Sequence, residues 1–220
     1  MSALITQRSN RRAPTPIEAT DSVHLSTTRK RLSAAQRSWL EENGFDAKPG
    51  SICLVPEANG KLARVLVGVD RNDPLAALAG LPLSLPTGEY SLAAESVPLN
   101  AELAALGWAL GCYQYTRYRK ARRPGSPLVV SEEIRDALTP QIEATYFVRD
   151  LVNMPTEELG PKQLSDQIKA LAKTYKAKVR EWVGDELLED NFPTIHMVGR
   201  ASHRPPRLVE LTWGKANDPK

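Results

Sequence analysis

Apolar and polar positions form their clearest pattern in the stretch around residue 60. Ile52 to Val55 is a short apolar run that ends at Pro56, and Ala63 to Val69 is a second run rich in β-branched residues. Asn59-Gly60 lies between the two runs, and this pair is typical of tight turns. The pattern therefore predicts two short strands joined as a hairpin.

Segments in which apolar residues recur at helical spacing lie on both sides of this hairpin along the chain. Ser33 to Asn43 is predicted to form a short helix that Ser33 caps. Ala101 to Tyr118 is predicted to form a longer helix, because its large apolar residues recur three or four positions apart. Leu81 to Leu92, which prolines and a glycine interrupt, is predicted as a loop with one short strand. Residues 1–24 show no apolar period, and we expect an unstructured tail there.

The second half of the chain predicts a different order of elements. A helix is expected to begin with Thr139 as its cap and Pro140 at its first position, where the missing N–H of proline has no cost. The helix should end before Pro155, because a residue that precedes proline disfavours helical backbone. Gly160-Pro161 opens the next helix. Its predicted apolar stripe is Leu164, Ile168, Leu171 and Tyr175. The remaining predicted elements are a strand at Lys178 to Val183, a short helix after Gly184-Asp185, and a strand at Arg207 to Trp213.

A break in composition at Pro124 to Pro127 separates these two patterns. We predict the α/β fold class, with an N-terminal α/β domain at residues 25–125. Residues 126–220 are predicted to be the incomplete start of a larger α/β domain. The reason is that two strands and three helices give the apolar stripes of this half too few facing partners.

Composition and charge exclude several classes of protein. Hydrophobic residues make up 41% and charged residues 25% of the chain, as in ordinary globular domains. The net charge of +3, from 29 basic and 26 acidic residues, is too even to indicate nucleic-acid binding by itself. No apolar run approaches the roughly 18 residues of a membrane span, so we expect no membrane partner. The N-terminus lacks the apolar core of a secretory signal. Cys53 and Cys112 are expected to be free thiols in a reducing cytosol.

A search for catalytic chemistry finds no candidate residue. The chain has no HExxH, CxxC, GxSxG, GxGxxG or P-loop motif. His196 and His203 would share a face only in a helix, and Gly199 and Pro205-Pro206 argue against one. Acidic pairs at Glu132-Glu133 and Glu157-Glu158 are explained by favourable interaction with helix N-termini.

The segment from Thr116 to Gly125 carries five positive charges and no acidic residue. Cations are favourable at a helix C-terminus, where they face the negative end of the macrodipole, and we favour this structural reading. Tyr115 and Tyr118 are interleaved with the cations and leave a nucleic-acid surface open as the alternative.

Three segments resemble the leucyl aminopeptidase (cytosol aminopeptidase) family of two-metal peptidases. RDLVNMPTEELGP, from Arg149 to Pro161, is similar to the RDLVN-x-P-x-x-x-LGP segment at the head of the family's catalytic domain. Residues 183–214 are similar to the stretch that follows it, and WALGCYQYTRY, from Trp108 to Tyr118, resembles a helix of a bacterial branch. Within these segments Asn153, Pro155, Gly160 and Pro161 match family positions, with structural roles at helix ends and in the turn between them.

This resemblance implies an N-terminal α/β domain with a small mixed sheet, followed by the truncated start of a larger α/β catalytic domain. In the complete enzyme that domain binds two divalent metal ions (Mn, Zn or Mg) and releases N-terminal amino acids from peptides. The complete enzyme is expected to be a cytoplasmic hexamer. The family's metal ligands lie in segments that resemble GKGxxFDTGG, KxxMxxDMxGAA and NTDAEGRL, and none of these occurs here. The resemblance therefore assigns no catalytic, metal or substrate-binding residue to this chain.

Two functional hypotheses remain. The first, which we favour, is the N-terminal portion of a metal-dependent aminopeptidase that is inactive on its own and binds no catalytic metal. The second is a non-catalytic binding or assembly module that contacts DNA through Arg117 to Arg123.

Overall fold

The computed structural model describes residues 3–6 and 13–215 of the chain. It contains two compact units, Met1–Arg149 and Asp150–Lys220. The domain limits predicted from the sequence, at residues 24 and 125, differ from this division and stay a prediction. None of the helices in the described residues has both the length and the hydrophobicity that crossing a bilayer requires.

A six-stranded mixed sheet lies at the centre of the first unit, as predicted. Its strands lie side by side in the order β1 (Leu4–Ile5), β6 (Leu128–Val129), β5 (Tyr90–Leu92), β2 (Thr15–Thr20), β4 (Leu62–Gly68) and β3 (Ile52–Pro56). All neighbouring strands are parallel except β3, which pairs antiparallel with β4. The predicted hairpin is confirmed, and the parallel neighbours require crossover connections.

Helices cover both faces of this sheet. They are α1 (Leu25–Lys30), α2 (Ala34–Glu42), α3 (Pro74–Ala77), α4 (Ala101–Gly111) and α5 (Glu132–Asn153). Side chains of β4 alternate between two apolar clusters, because successive residues of a strand point to opposite faces. Val65 and Val67 join Trp108 in one cluster, and Leu66 joins Leu40 in the other. The first unit is therefore a complete three-layer structure with a core on each side of the sheet.

The predicted helices of this unit begin where the sequence indicates. Ser33 caps α2, and Gln36 returns the hydrogen bond in a capping box, Ser33 Oγ accepting from the Gln36 amide at 3.3 Å. Helix α4 begins after Asn100 but ends at Gly111, so the prediction of helix through Tyr118 was wrong. Tyr113 instead packs edge to face against Tyr146, with ring centroids 5.1 Å apart.

The expectation of an unstructured tail through residue 24 is wrong for two segments. Leu4–Ile5 and Thr15–Thr20 are strands, and β2 lies between β4 and β5 in the middle of the sheet. The carboxylate of Glu18, in the centre of β2, is only 1% exposed and forms ion pairs with Arg31 and Arg64. Residues 1–2 and 7–12 of the expected tail lie outside the described part of the chain.

Helix α5 is continuous through Pro140, so the predicted helix start at Thr139 was wrong. Thr139 does not act as a cap, because its hydroxyl donates to the carbonyl of Arg135 at 2.7 Å. Proline inside a helix costs about 3 kcal/mol. Burial of Leu138, with Ile134 and Ile142 packed against the same core, offsets that cost.

The second unit is smaller and contains a two-stranded sheet. Its elements are α6 (Pro161–Tyr175), β7 (Lys178–Val183), α7 (Glu186–Glu189), α8 (Pro193–Gly199) and β8 (Arg207–Thr212). Strands β7 and β8 are antiparallel, and Glu181 is opposite Val209. The predicted helix after Gly160 and both predicted strands are confirmed. Helix α8 was not predicted; its first residue is Pro193 and its last is Gly199.

We expect Glu18→Ala to lower the free energy of unfolding of the first unit by about 1–3 kcal/mol, because it removes the carboxylate that accepts hydrogen bonds from two partly exposed arginines. Glu42, exposed at the end of α2, provides the control, and Glu42→Ala should change stability by less than about 0.5 kcal/mol. Urea-induced unfolding followed by circular dichroism measures both. Equal stability of the two variants would show that the ion cluster does not support the sheet.

Candidate functional site

The loop between α5 and α6 belongs to the RDLVNMPTEELGP segment on which the sequence resemblance depends. Asn153 is the last residue of α5, and the amides of Glu158 and Leu159 both donate to the carbonyl of Pro155 at 2.9 Å. Gly160 is the N-cap residue of α6, and Pro161 occupies the first helical position. The segment therefore folds as a helix end, a tight turn and a helix start.

Arg204 links this loop to the segment that precedes β8. Its Nη1 donates to the carbonyl of Thr156 at 2.6 Å, and its Nη2 donates to the Glu157 carboxylate at 2.6 Å. The side chain of Arg204 is only 25% exposed. Glu157 is thus held by an arginine 47 residues away, and lies in a turn rather than at a helix N-terminus. The sequence-based explanation of this acidic pair was wrong.

Two glycines allow the segments around Arg204 to approach closely. A Cβ atom on Gly160 would lie 2.8 Å from Nη1 of Arg204. A Cβ atom on Gly199, at the end of α8, would lie 2.4 Å from the Cβ atom of Pro206. A proline ring cannot rotate away as a flexible side chain can, so Gly199 is the more strictly required of the two.

A charged network joins α6 to the two strands. The carboxylate of Glu181 on β7 accepts hydrogen bonds from Ser165 Oγ at 2.5 Å, Lys169 Nζ at 2.5 Å and Arg207 Nη1 at 2.6 Å. Burial by itself would raise the pKa of this carboxyl, but the three hydrogen bonds outweigh it and lower the pKa from 4.5 to about 2. The network fixes the face of the sheet on which α6 lies.

A groove of about 820 Å³ lies between α6, α8 and β8. The apolar part of its lining includes Leu159, Leu164, Ile168, Ile195, Val198 and Val209. Arg204 and Arg207 contribute the cationic part of the lining, and each is paired with a glutamate. The groove can therefore bury apolar groups of a partner.

The histidines noted in the sequence are not brought together. His196 lies in α8 with Nε2 3.1 Å from Asp185 Oδ1, and His203 is exposed in the loop that follows. His24, in the first unit, has Nδ1 2.6 Å from Asp21 Oδ1. In residues 3–6 and 13–215 there is no group of three or more His, Cys, Asp or Glu side chains arranged to hold a metal ion.

Both cysteines are in the first unit and are poor nucleophiles. Cys53 is buried and Cys112 is partly buried, and neither is in a disulfide. Burial raises the pKa of the Cys112 thiol to about 11, so it stays protonated at neutral pH.

The basic segment lies in the loop that follows α4 rather than on a helix. The predicted macrodipole interaction was therefore wrong, because α4 ends at Gly111. Arg123 is folded inward and donates to the carbonyl of Leu85. The other four cations of the segment are exposed: Arg117, Arg119, Lys120 and Arg122.

Sequence reasoning missed Arg204, Glu181 and Arg207. A usable signal existed for Glu181, because it is an acidic residue within a predicted strand that also contains Val179, Trp182 and Val183, and a charge that faces inward from such a strand needs a partner. The partners themselves are 12 to 26 residues away, and no local pattern identifies them.

Two family models match the chain. The model described as the N-terminal domain of M17 aminopeptidases matches residues 15–131. The model of the catalytic domain of the cytosol aminopeptidase family matches residues 146–220. The two models match in the order that the sequence resemblance implied, with the N-terminal domain first and the start of the catalytic domain after it.

Curated relatives are named as cytosol aminopeptidase or peptidase B. A probable cytosol aminopeptidase from Leifsonia xyli is 32% identical over 203 residues, which cover 83% of this chain and 41% of the relative. A peptidase B from Cronobacter sakazakii is 32% identical over 126 residues, which cover 54% of this chain and 29% of the relative. The chain thus spans well under half the length of these relatives.

Solved structures give the same result for the fold. The crystal structure of the cytosol aminopeptidase from Coxiella burnetii aligns with a TM-score of 0.89 at 33% identity, over 99% of this chain and 47% of that chain. The bottromycin maturation enzyme BotP in complex with Mn aligns with a TM-score of 0.72 at 27% identity, over 93% of this chain and 46% of that chain.

We expect Gly199→Ala to destabilise the second unit by about 1–3 kcal/mol, because the added methyl group overlaps Pro206. Gly80→Ala is the control, since a Cβ atom there has no neighbour within 4 Å. Amide hydrogen exchange should accelerate in α8 and β8 of the first variant only. Unchanged exchange in Gly199→Ala would contradict the close packing.

The low pKa of Glu181 predicts an acid-sensitive second unit. Because the folded pKa lies below the ordinary value of 4.5, the stabilisation is fully present above about pH 4.5 and is lost as the pH falls toward 2. Glu181→Gln should lower stability at neutral pH and flatten the dependence across this window. Glu210→Gln, a change at an exposed position of β8, should keep the wild-type profile. Urea unfolding measured at several pH values tests this, and parallel profiles for all three proteins would refute it.

Proposed function

The chain belongs to the M17 (cytosol aminopeptidase) family, and from that membership we propose that it serves as the N-terminal domain and opening part of the catalytic domain of a metal-dependent aminopeptidase. The reaction is hydrolytic release of N-terminal amino acids from peptides. The observation that supports this proposal is that the two M17 family models match successive parts of one chain. The structure of the Coxiella burnetii cytosol aminopeptidase also aligns with 99% of this chain.

Within such an enzyme the described residues have a structural role. The α5–α6 turn, the Arg204 contacts and the Glu181 network hold α6, α8 and the two strands in a fixed arrangement. A site that holds reacting groups needs a supporting shell of this kind, because small displacements of those groups are costly in rate.

The described residues do not fit a two-metal centre, because no three side chains of ligand type come together among them. We therefore propose no metal-ligand role for any of them. We propose that two divalent ions belong to other parts of the catalytic domain, with manganese as the first candidate among Mn, Zn and Mg. Its support is the Mn complex of BotP. Such ions supply the acidity that converts bound water into a nucleophile.

We also propose a hexameric assembly and a cytoplasmic location for the complete enzyme, with peptides as its substrates. The word cytosol in the names of the relatives supports the location. The hexamer rests on the family resemblance. The alternative function, DNA binding through Arg117 to Arg123, gains no support from relatives or structures that are named as aminopeptidases and peptidases.

We expect the purified chain alone to release no leucine from a leucyl anilide in the presence of Mn²⁺, Zn²⁺ or Mg²⁺. The physical reason is that its described residues offer no cluster of metal ligands. Colorimetric assay with each metal tests the activity, and titration calorimetry tests Mn²⁺ binding, with the Coxiella burnetii enzyme as positive control. Metal-dependent release of leucine by the chain alone would overturn the proposed division of roles.

A further inference from the structure

Strand β3 lies at one end of the six-stranded sheet. It pairs with β4 on one side, and within the described residues no strand lies along its other side. An open strand edge presents unpaired backbone donors and acceptors, and it can pair with a strand from another chain. Charged side chains on edge strands commonly oppose such pairing. The sequence of β3, Ile-Cys-Leu-Val-Pro, contains no charge, so charge gives this strand no protection.

The side chains of β3 favour association rather than oppose it. Cys53 and Val55 are buried in the apolar cluster that contains Leu40. Ile52 and Leu54 point to the opposite face of the sheet, because successive residues of a strand alternate, and they are 41% and 38% exposed. Two copies of β3 placed edge to edge would bring four of these exposed side chains together and bury apolar surface.

The backbone groups at this open edge belong to Ile52 and Leu54. The carbonyl of Ser51 accepts a hydrogen bond from the amide of Gly68, the last residue of β4. The direction of the backbone groups alternates along an antiparallel ladder, so Ile52 and Leu54 direct their N–H and C=O groups away from β4. Pro56, at the end of the strand, has no N–H to donate. Pairing at this edge therefore depends on the four backbone groups of two residues.

A side chain of the same unit already occupies one of these four groups. The indole Nε1 of Trp39 donates to the carbonyl of Leu54 at 2.8 Å. Helix α2 fixes the position of the indole, because Ser33 caps its first turn and Leu40, next to Trp39, is fully buried. The side chain of Trp39 is 43% exposed, so the ring lies at the surface beside the open edge of β3.

We propose that Trp39 closes the edge of β3 against pairing with a second copy of this chain. Antiparallel pairing of two copies about Cys53 would place Ile52 of each opposite Leu54 of the other, with four backbone hydrogen bonds between them. The carbonyl of Leu54 is the acceptor in two of these four. Because the Trp39 indole holds that carbonyl in each copy, pairing has to break both indole hydrogen bonds and displace both rings. A second copy is the fitting partner because β3 is uncharged and both of its outward residues are apolar, so the strand matches itself.

The test is Trp39→Phe in the full chain, which removes the indole donor and keeps an aromatic ring. We expect its self-association constant to rise at least about tenfold over that of the wild type, because two backbone hydrogen bonds become available to the dimer. Sedimentation equilibrium measures the constant. Amide exchange at Ile52 and Leu54 should slow as the concentration of the variant rises, whereas in the wild type it should not depend on concentration.

Two further variants separate pairing at this edge from other association. Trp213→Phe, in the second unit, makes the same chemical change, because the Trp213 indole also donates to a carbonyl, that of Tyr175 at 3.1 Å. This control should associate as the wild type does. Ile52→Lys, added to Trp39→Phe, places a charge on the edge strand and should return the association constant to the wild-type value. Circular dichroism verifies that each variant is folded.

Three results overturn the proposal. The first is equal self-association of Trp39→Phe and the wild type, which would assign the indole hydrogen bond to the packing of α2 alone. The second is association of Trp39→Phe that Ile52→Lys does not reduce, which would place the contact elsewhere. The third is protection of the Ile52 and Leu54 amides that grows with concentration in the wild type, since the edge would then be open despite Trp39. This last measurement needs no variant.

Discussion

The ion cluster around Glu18 determines how the first unit is assembled. Glu18 lies in the central strand, between the buried Ile17 and Ala19, and its carboxylate is held by Arg31 from the segment after α1 and by Arg64 from β4. A shift of β2 by one residue would move Glu18 to the apolar face that Ile17 and Ala19 now occupy, and would place those two residues beside Arg31 and Arg64. The cluster therefore fixes the register of β2, and the crossovers on both sides of the sheet follow from that register.

The second unit uses the same principle on a smaller scale. Glu181 also lies on a strand and is also held by cations from other elements, Lys169 on α6 and Arg207 on β8. The difference lies in what surrounds the ion cluster. Two apolar clusters enclose the sheet of the first unit, whereas the described residues of the second unit leave a groove on the face that α6 only partly covers. Charged side chains thus fix the positions of the elements in both units, but only the first unit has an apolar cluster on each face of its sheet.

Local signals accounted for the elements that the sequence predicted well. Asn59-Gly60 determines a turn by itself, Ser33 caps its own helix, and Gly160-Pro161 starts α6 within two residues. The errors depend on distant contacts. The segment Thr15–Thr20 was predicted to be part of a polar tail because the charged Glu18 interrupts its apolar residues. The arginines that pair with Glu18 lie 13 and 46 residues away, so no local pattern indicates them. Pro140 was predicted to start a helix because the sequence does not show that Leu138, which precedes it by two residues, is buried in the core and supports a helix that continues through the proline. At the candidate site, the turn could be predicted but the Arg204 contacts that hold it could not.

Within the residues that the structure describes, β8 pairs with β7 along one edge and no strand lies along the other, and this bears on aggregation. An uncovered strand beside an apolar groove favours aggregation, since copies of one strand can stack without limit. Stacking in parallel register would bring Arg207 against Arg207 and Glu210 against Glu210, and such like-charge contacts are unfavourable. The charges of the strand consequently disfavour a fibril of its own copies. The charges along β8 thus oppose the stacking of β8 strands from different copies of the chain.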